Sequence, residues 1–320
     1  MNAVLISFLA LFGLLVLVVV YTGNGGPAAE SRSVPSTSTT SQEMPSAFRV
    51  AAVQARWDTT DPAARHIVVT LVLQSNGTMP GRATAVTYEA FSHGRSIAAA
   101  KVPTGVDLAP AQQTSLWFVV PLGANFVPAW WDAYVAADES SDLSIKGLVE
   151  VADGGAGQSP PFSISNAWTG NLADTVAAAA HNCADGHAEV CLDAATASWR
   201  NGSLDVNLRL RNPGADVVVV RGIDAALDLA GNAVASGTSD TTLRIPAGGT
   251  ASAHATLGFS RDAMAAWWPG HVGRCETSPV VLELIVQETP DNATAPVPPP
   301  VHWTFQAHDF ATHLVCQEGA

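Results

Sequence analysis

Val127-Pro128-Ala129-Trp130-Trp131-Asp132 and Met264-Ala265-Ala266-Trp267-Trp268-Pro269 carry the same adjacent tryptophan pair 137 residues apart. Around them Trp57, Trp130, Trp131 and Trp168 form one series and Trp199, Trp267, Trp268 and Trp303 another, at offsets of 142, 137, 137 and 135 residues. Tryptophan is too rare for four such matches to be accidental, so the body of the chain reads as one unit of about 130 residues used twice. Other punctuation repeats with it. Gly94 and Gly231 fall between strands where a tight turn needs positive φ, and Pro110-Ala111 and Pro246-Ala247 precede matching strands.

Between these marks the apolar residues recur with a period of two. Val69, Leu71 and Leu73 alternate with polar or smaller neighbours, as do Val86, Tyr88 and Ala90, and later Val206, Leu208 and Leu210. Strands are expected over Phe48–Trp57, Ile67–Leu73, Thr84–Ser92, Ile97–Pro103, Thr114–Pro121, Leu143–Val151 and Phe162–Trp168. The second set is Glu189–Trp199, Leu204–Leu210, Val217–Leu229, Ala233–Thr238, Thr250–Phe259, Val280–Gln287 and Val301–Phe305. One helical interruption is expected in each copy. Ser260 reads as its N-cap, Asp262 lies in its first turn, Met264 and Trp268 are spaced i, i+4, and Pro269 reads as its stop. The counterpart, Asn125–Asp132, has Pro128 in its first turn and is expected to be shorter or partly 3₁₀. Seven short strands per copy without long helices indicate an all-β chain of two tandem immunoglobulin-like or fibronectin III-like β-sandwiches.

Ahead of the copies, Ala3 to Tyr21 is a run of 19 residues in which only Ser7 and Gly13 are less than strongly apolar. At about 1.5 Å rise per residue it matches the ~30 Å hydrocarbon layer, and no Lys or Arg precedes it to form the basic region of a signal peptide. A cleaved leader ending near Gly26-Pro27-Ala28-Ala29 is the alternative. The expected plan is a transmembrane anchor over 1–21, a Ser/Thr/Pro-rich tether over 22–45, repeats over 46–174 and 189–320, and a linker over 175–188. Arg32 and Arg49 alone would keep the body inside. The sequons at Asn76, Asn201 and Asn292, and four cysteines, argue for an extracytoplasmic body on a single-pass membrane protein.

The formal charge of −13 repels phosphate backbones, which argues against a nucleic-acid partner. The partners left are the membrane itself, through the N-terminal helix, and an envelope protein or glycan.

The run Leu204-Asp205-Val206-Asn207-Leu208-Arg209-Leu210-Arg211-Asn212-Pro213, then Gly231, then Arg244-Ile245-Pro246-Ala247-Gly248-Gly249-Thr250, resembles the LEA type 2 family, that of the WHy (water stress and hypersensitive response) domain. The first repeat resembles it more loosely: Leu71 and Leu73 lead to Asn76 without a following proline, and Pro110-Ala111-Gln112-Gln113-Thr114 replaces the glycine turn. The resemblance implies a folded, apolar late embryogenesis abundant protein with a fibronectin-like sandwich, linked to stress or desiccation response. Membrane-anchored tandem forms in archaea or bacteria are similar in layout. It implies no catalytic motif and no cofactor. Asn212-Pro213 itself reads as turn chemistry at a strand end.

Read for chemistry, the densest cluster is His181, Cys183, His187 and Cys191. Zinc accepts such ligands, but the spacing fits no usual finger, and disulfides are the reading preferred over metal or free thiols. Of three connectivities, Cys183 to Cys191 with Cys275 to Cys316 keeps the first bridge local. Asp153-Gly154-Gly155-Ala156-Gly157 has no helix behind it to hold phosphate, and Asp138-Glu139-Ser140-Ser141-Asp142 reads as a solvated loop before a calcium site. No GxSxG, HExxH or Walker sequence occurs. Trp130, Trp131, Trp267 and Trp268 offer either core packing or, for one of each pair, an exposed aromatic contact. Three classes follow: a noncatalytic stress-protective or envelope-stabilising protein, an adhesion or receptor-like ectodomain, and an enzyme with a site assembled from loops, in that order.

Overall fold

The period-two segments become antiparallel strands in the expected order. The computed structural model describes residues 47–152, 159–181, 183, 190–290 and 299–316. The apolar run Ala3–Tyr21, the tether, Asp153–Gly157, His187 and Asn292 lie outside them. In the first half these are β1 (Phe48–Trp57), β2 (His66–Ser75), β3 (Gly81–Ser92), β4 (Arg95–Leu108), β5 (Gln113–Pro121), α1 (Phe126–Ala136), β6 (Ser140–Ala152), β7 (Pro161–Thr169) and α2 (Leu172–Ala179). One sheet runs β1-β2-β5 and the other β4-β3-β6-β7. On β2, Ile67, Val69, Leu71 and Leu73 are at most 1% exposed, while His66, Thr70, Val72 and Gln74 between them are only half-buried. Val86, Tyr88 and Ala90 of β3 are buried in the same core, and burying each large apolar side chain contributes about 1.5–3 kcal/mol. The fold is all-β and sandwich-like.

The second half repeats the pairings with breaks. It comprises β8 (Cys191–Arg200), β9 (Ser203–Arg211), β10 (Val218–Leu229), β11 (Asn232–Ser239), β12 (Leu243–Ile245), β13 (Thr250–Phe259), α3 (Arg261–Gly273), β14 (Thr277–Ser278), β15 (Val280–Pro290), β16 (Val301–Gln306) and β17 (Phe310–Ala311). The strands β8-β9-β13 pair as β1-β2-β5 do, and β11-β10-β15-β16 pair as β4-β3-β6-β7 do. The single strand β4 corresponds to β11 plus β12, both of which pair β10. Proline has no N–H for a ladder, and Pro279 divides β14 from β15 where β6 is continuous. The pairs Ala235↔Phe259 and Ser236↔Gly258 join β11 to β13, merging the two sheets of this half into one sheet of eight strands, seven along a single path and β12 beside β10. Gly237 permits that approach, because a Cβ there would lie 2.0 Å from the Thr256 carbonyl oxygen.

The turns also match. His93-Gly94 and Ala230-Gly231 both hold positive φ, at 49° and 69° and at 55° and 85°, which gives the two-residue hairpins their right-handed twist.

Three expectations need correction. Pro269 does not stop α3, which continues to Gly273; the carbonyl it leaves without a donor belongs to exposed Ala265, where water can serve it. The helix α1 is the shorter of the two as expected, 11 residues against 13, but it runs past Asp132 to Ala136, with Pro128 near its start, where the missing N–H costs no helical bond. The fourth tryptophan match is a coincidence of spacing. Trp168 lies opposite Ser141, and the residue opposite the corresponding Ser278 is Phe310, while Trp303 lies opposite Leu284 as Phe162 lies opposite Gly147. The helix α2 lies across the expected boundary at residue 174.

Candidate functional site

The two matching helices meet each other. Each is amphipathic around its tryptophan pair, and α1 and α3 pack at the junction of the halves rather than facing solvent. Trp130, Trp131, Trp267 and Trp268 are 2%, 3%, 0% and 0% exposed, so both members of each pair pack in the core and neither is left as an exposed aromatic contact. Ring centroids lie 5.2 Å apart for Trp130 and Trp268 and 6.4 Å for Trp131 and Trp267, with Trp57 edge-on to Trp268 and Trp199 edge-on to Trp131. A period-two or helical pattern tells which face is apolar, but not whether water or a second half covers it.

An indole N–H buried in a core usually finds an acceptor, and that of Trp131 alone among the six of this cluster has none among the described residues. Trp130 donates to Ser141 Oγ at 2.8 Å and Trp267 to Ser278 Oγ at 2.9 Å, two equivalent bonds inside their own halves. The outer tryptophans cross over. Trp57 donates to Glu276 Oε1 at 2.6 Å and Trp199 to Glu139 Oε1 at 2.5 Å, so each half places its indole on a carboxylate of the other.

These two glutamates were not among the expected site residues. Both end a helix–turn in which two consecutive residues hold positive φ, Asp138 and Glu139 at 52° and 60°, Cys275 and Glu276 at 53° and 60°. Glu139 also accepts from the backbone N–H groups of Leu172 and Ala173, which begin α2. Glu276 accepts from those of Leu314, Val315 and Cys316, and from the Thr312 hydroxyl. A buried carboxylate is stable only with such a full set of donors. The stretch Asp138–Asp142 is therefore no solvated loop: Glu139 and Ser141 are buried, and Asp142 Oδ1 accepts the His93 backbone N–H. A signal for these residues existed in Glu139-Ser140-Ser141 and Glu276-Thr277-Ser278, at one spacing behind each tryptophan pair.

One turn after Trp130 comes Tyr134, and at the matching place after Trp267 comes His271. Burial pushes the Tyr134 phenol up, and the Glu139 charge beside it adds to that. Burial, with Arg274 nearby, holds the His271 imidazole down at about 3. Its hydrogen bonds fix the tautomer. Ser278 Oγ accepts from Trp267 and from Arg274 and so donates to His271 Nδ1; Nε2–H then donates to Thr312 Oγ1, whose hydroxyl donates to Glu276. The order Ser278, His271, Thr312, Glu276 has the parts of a nucleophile, a base and a carboxylate. All four are 0% exposed, so the chain of bonds joins strands and gives substrate no approach. In the first half Gly170 stands where Thr312 does, and a Cβ on it would lie 2.0 Å from Tyr134 Oη. The larger ring and the missing side chain compensate one another.

The cysteines pair as Cys183–Cys191 and Cys275–Cys316, with Cα atoms 4.9 and 5.6 Å apart. His181 Nδ1 bonds the Asp193 carbonyl at 2.8 Å, and among the described residues no cluster could hold a metal ion. Of the sequons, Asn76 is exposed beyond β2 and Asn201 is exposed in the β8–β9 hairpin. Asn212 is 0% exposed; its amide donates to the carbonyls of Asp216 and Ile245, and its oxygen accepts from Gly214 N–H. The residue in its place in the first half is Ser75, not Asn76. Ser75 N–H reaches the Gln112 carbonyl as Asn212 N–H reaches that of Gly249. Trp117, outside both tryptophan series, is 68% exposed on β5.

No protein-family model matches this sequence, and no curated protein does. Among solved structures the chain is similar to a protein from Archaeoglobus fulgidus, with a TM-score of 0.34 and 21% identity over 38% of this chain and 98% of that one. It is also similar to AT1g01470 from Arabidopsis thaliana, with a TM-score of 0.29 and 15% identity over 38% of this chain and 80% of that one.

Proposed function

We propose that this chain is a noncatalytic, membrane-anchored protein of LEA type 2 character, whose tandem immunoglobulin- or fibronectin III-like sandwiches stabilise the cell envelope under drying or osmotic stress. The observation that carries the reading is the reciprocal pair Trp57–Glu276 and Trp199–Glu139, which commits the polar groups at the centre of the body to holding its halves together. The residues behind the family resemblance support it as well. Asn212, of Asn212-Pro213, is hydrogen-bonded to Ile245 and Gly249 of the turn Ile245-Pro246-Ala247-Gly248-Gly249, so the two quoted motifs form one structural unit. A rigid apolar body cannot replace water as a disordered hydrophilic chain does, so its protection works by contact with envelope components. Ala3–Tyr21 keeps it there.

Deleting the gene should lower survival of drying or osmotic shock, and a form lacking Ala3–Tyr21 should rescue poorly. Unchanged survival counts against the reading, and turnover of any substrate abolished by one His or Asp substitution ends the noncatalytic claim. One observation favours the second reading, an adhesion or receptor-like ectodomain: the exposed Trp117 on the outer face of β1-β2-β5, paired across to Thr70. Lost cell attachment in a Trp117→Ala strain, with survival unchanged, would favour it.

A further inference from the structure

Beside α1, at the end of the β3–β4 hairpin, the first half contains a cavity of about 160 Å³. Its floor is apolar and aromatic, with Ile97, Phe126 and Trp130, and the exposed Ala129 stands at its edge. Its rim carries His93 and Arg95. The His93 ring is already committed, with Nε2 on the Ser140 carbonyl at 2.9 Å and Nδ1 on Ser92 Oγ at 3.1 Å. Arg95 is not: it is exposed, and its guanidinium forms no ion pair or hydrogen bond among the described residues. Its charge therefore stands without a carboxylate partner at the mouth of an aromatic cavity.

The second half provides an internal control. The same hairpin and helix stand there with Leu229 in place of Ser92, Asn232 in place of Arg95 and Ala263 in place of Phe126, and both Leu229 and Ser92 are buried. The fold therefore does not require the first half's residues. A cationic rim over an aromatic floor is what recognition of an apolar anion needs: ring edges and methyl groups for the body, and a planar pair of N–H donors for the charge.

We propose that this cavity is a binding site for a small carboxylate with a flat or branched apolar body, held by Arg95 at the rim and by Phe126, Trp130 and Ile97 within. A space of about 150 Å³ accommodates a benzene ring, which sets the body at about six carbon atoms. The site is independent of the envelope-stabilising role and stands or falls separately.

Benzoate is the probe, titrated by ligand-observed NMR into the full chain in lipid nanodiscs, with benzylamine as the cationic control. Benzoate should bind saturably, one per chain, with a dissociation constant on the order of 1 mM or tighter, given the efficiency of small ligands. Benzylamine should bind at least about tenfold more weakly, and Arg95→Gln should weaken benzoate about tenfold, the loss of one charge-assisted contact. Ala129→Leu, and separately Ser92→Leu, which installs the second half's residue, should abolish binding while leaving the circular dichroism spectrum unchanged. No saturable binding at ten times the expected constant overturns the site. So does binding that survives both cavity-filling variants, and equal binding of benzylamine overturns the role of Arg95.

Discussion

The two halves solve one burial problem with unequal resources. Glu276 collects five donors, from Trp57, Thr312, Leu314, Val315 and Cys316, whereas Glu139 collects three, from Leu172, Ala173 and Trp199. The inner tryptophans differ too. Trp268 Nε1 donates to the Ala64 carbonyl at 2.9 Å, while Trp131 Nε1 has no partner among the described residues. The cause is the length of one connection. The loop between β1 and β2 is long enough to bring Ala64 inward at φ 48°, braced by Asp61, whose carboxyl accepts the Ala63 and Arg65 N–H groups and is held below its usual range first of all by the Arg65 bond. Between β8 and β9 stands only the tight Asn201-Gly202 turn. Duplicated cores thus keep their large rings and diverge in how the polar edges are satisfied.

The largest expected break in that comparison is at the glutamates. Each buried donor left unmet costs about 1–3 kcal/mol, so Glu276→Ala should lose upwards of about 5 kcal/mol and Glu139→Ala about 3 kcal/mol. Urea unfolding ranks them, and a larger loss at Glu139 would refute the unequal accounting. Acid comes next. His271 is neutral in the fold, with its value lowered from 6.5 to about 3. The unfolded chain therefore takes up a proton first as the pH falls. The stability this histidine supports is full above about pH 6.5 and drains away between there and about pH 3, by about 3 kcal/mol at pH 4.5. Installing the first half's pair, His271→Tyr with Thr312→Gly, should remove that share of the acid sensitivity, which denaturation midpoints at pH 7 and 4.5 would show.

The bridges differ by loop length. Cys275–Cys316 spans 41 residues and Cys183–Cys191 spans 8. Loop-closure entropy assigns them about 4 and about 2.5 kcal/mol, so Cys275→Ser should lower the melting temperature more than Cys183→Ser. An equal drop would mean that the longer bridge adds nothing beyond the bonds to Glu276. The smallest effect is the sharpest contrast. Trp268→Phe strands the Ala64 carbonyl and should cost about 1–2 kcal/mol, whereas Trp131→Phe removes an N–H with nothing to bond and should cost less, the packing loss being similar in both. Equal losses would place an unseen acceptor at Trp131.

The strands β2, β3 and β9 were legible because one face of each is apolar, and β1 and β13 also fall on the expected residues. Three tryptophan pairs were legible for the same reason, that a repeated core repeats its largest side chains. The fourth was not, because register depends on insertions: Phe162 follows its partner Gly147 by 15 residues where Trp303 follows Leu284 by 19, and one more residue separates Trp303 from Phe310, so Phe310 takes the place that spacing gave to Trp303. The crossing of Trp57 and Trp199 to the opposite half could not be read either. Periodicity within a segment carries no information about which distant segment meets it, and the buried glutamates look like ordinary surface residues until their donors are in place.

Glu276 has a consequence for synthesis. Three of the amides that satisfy it come from Leu314, Val315 and Cys316, as many as 40 residues later in the chain. At about 5–20 residues per second, translation leaves this carboxylate without them for about two to eight seconds, and Trp57, already made, waits with it. The nascent first half must therefore hold its side of the aromatic core open to solvent or to a chaperone until those last residues emerge. A chain cut short before Leu314 would remain in that unfinished condition and be recognisable to quality control by its exposed indoles.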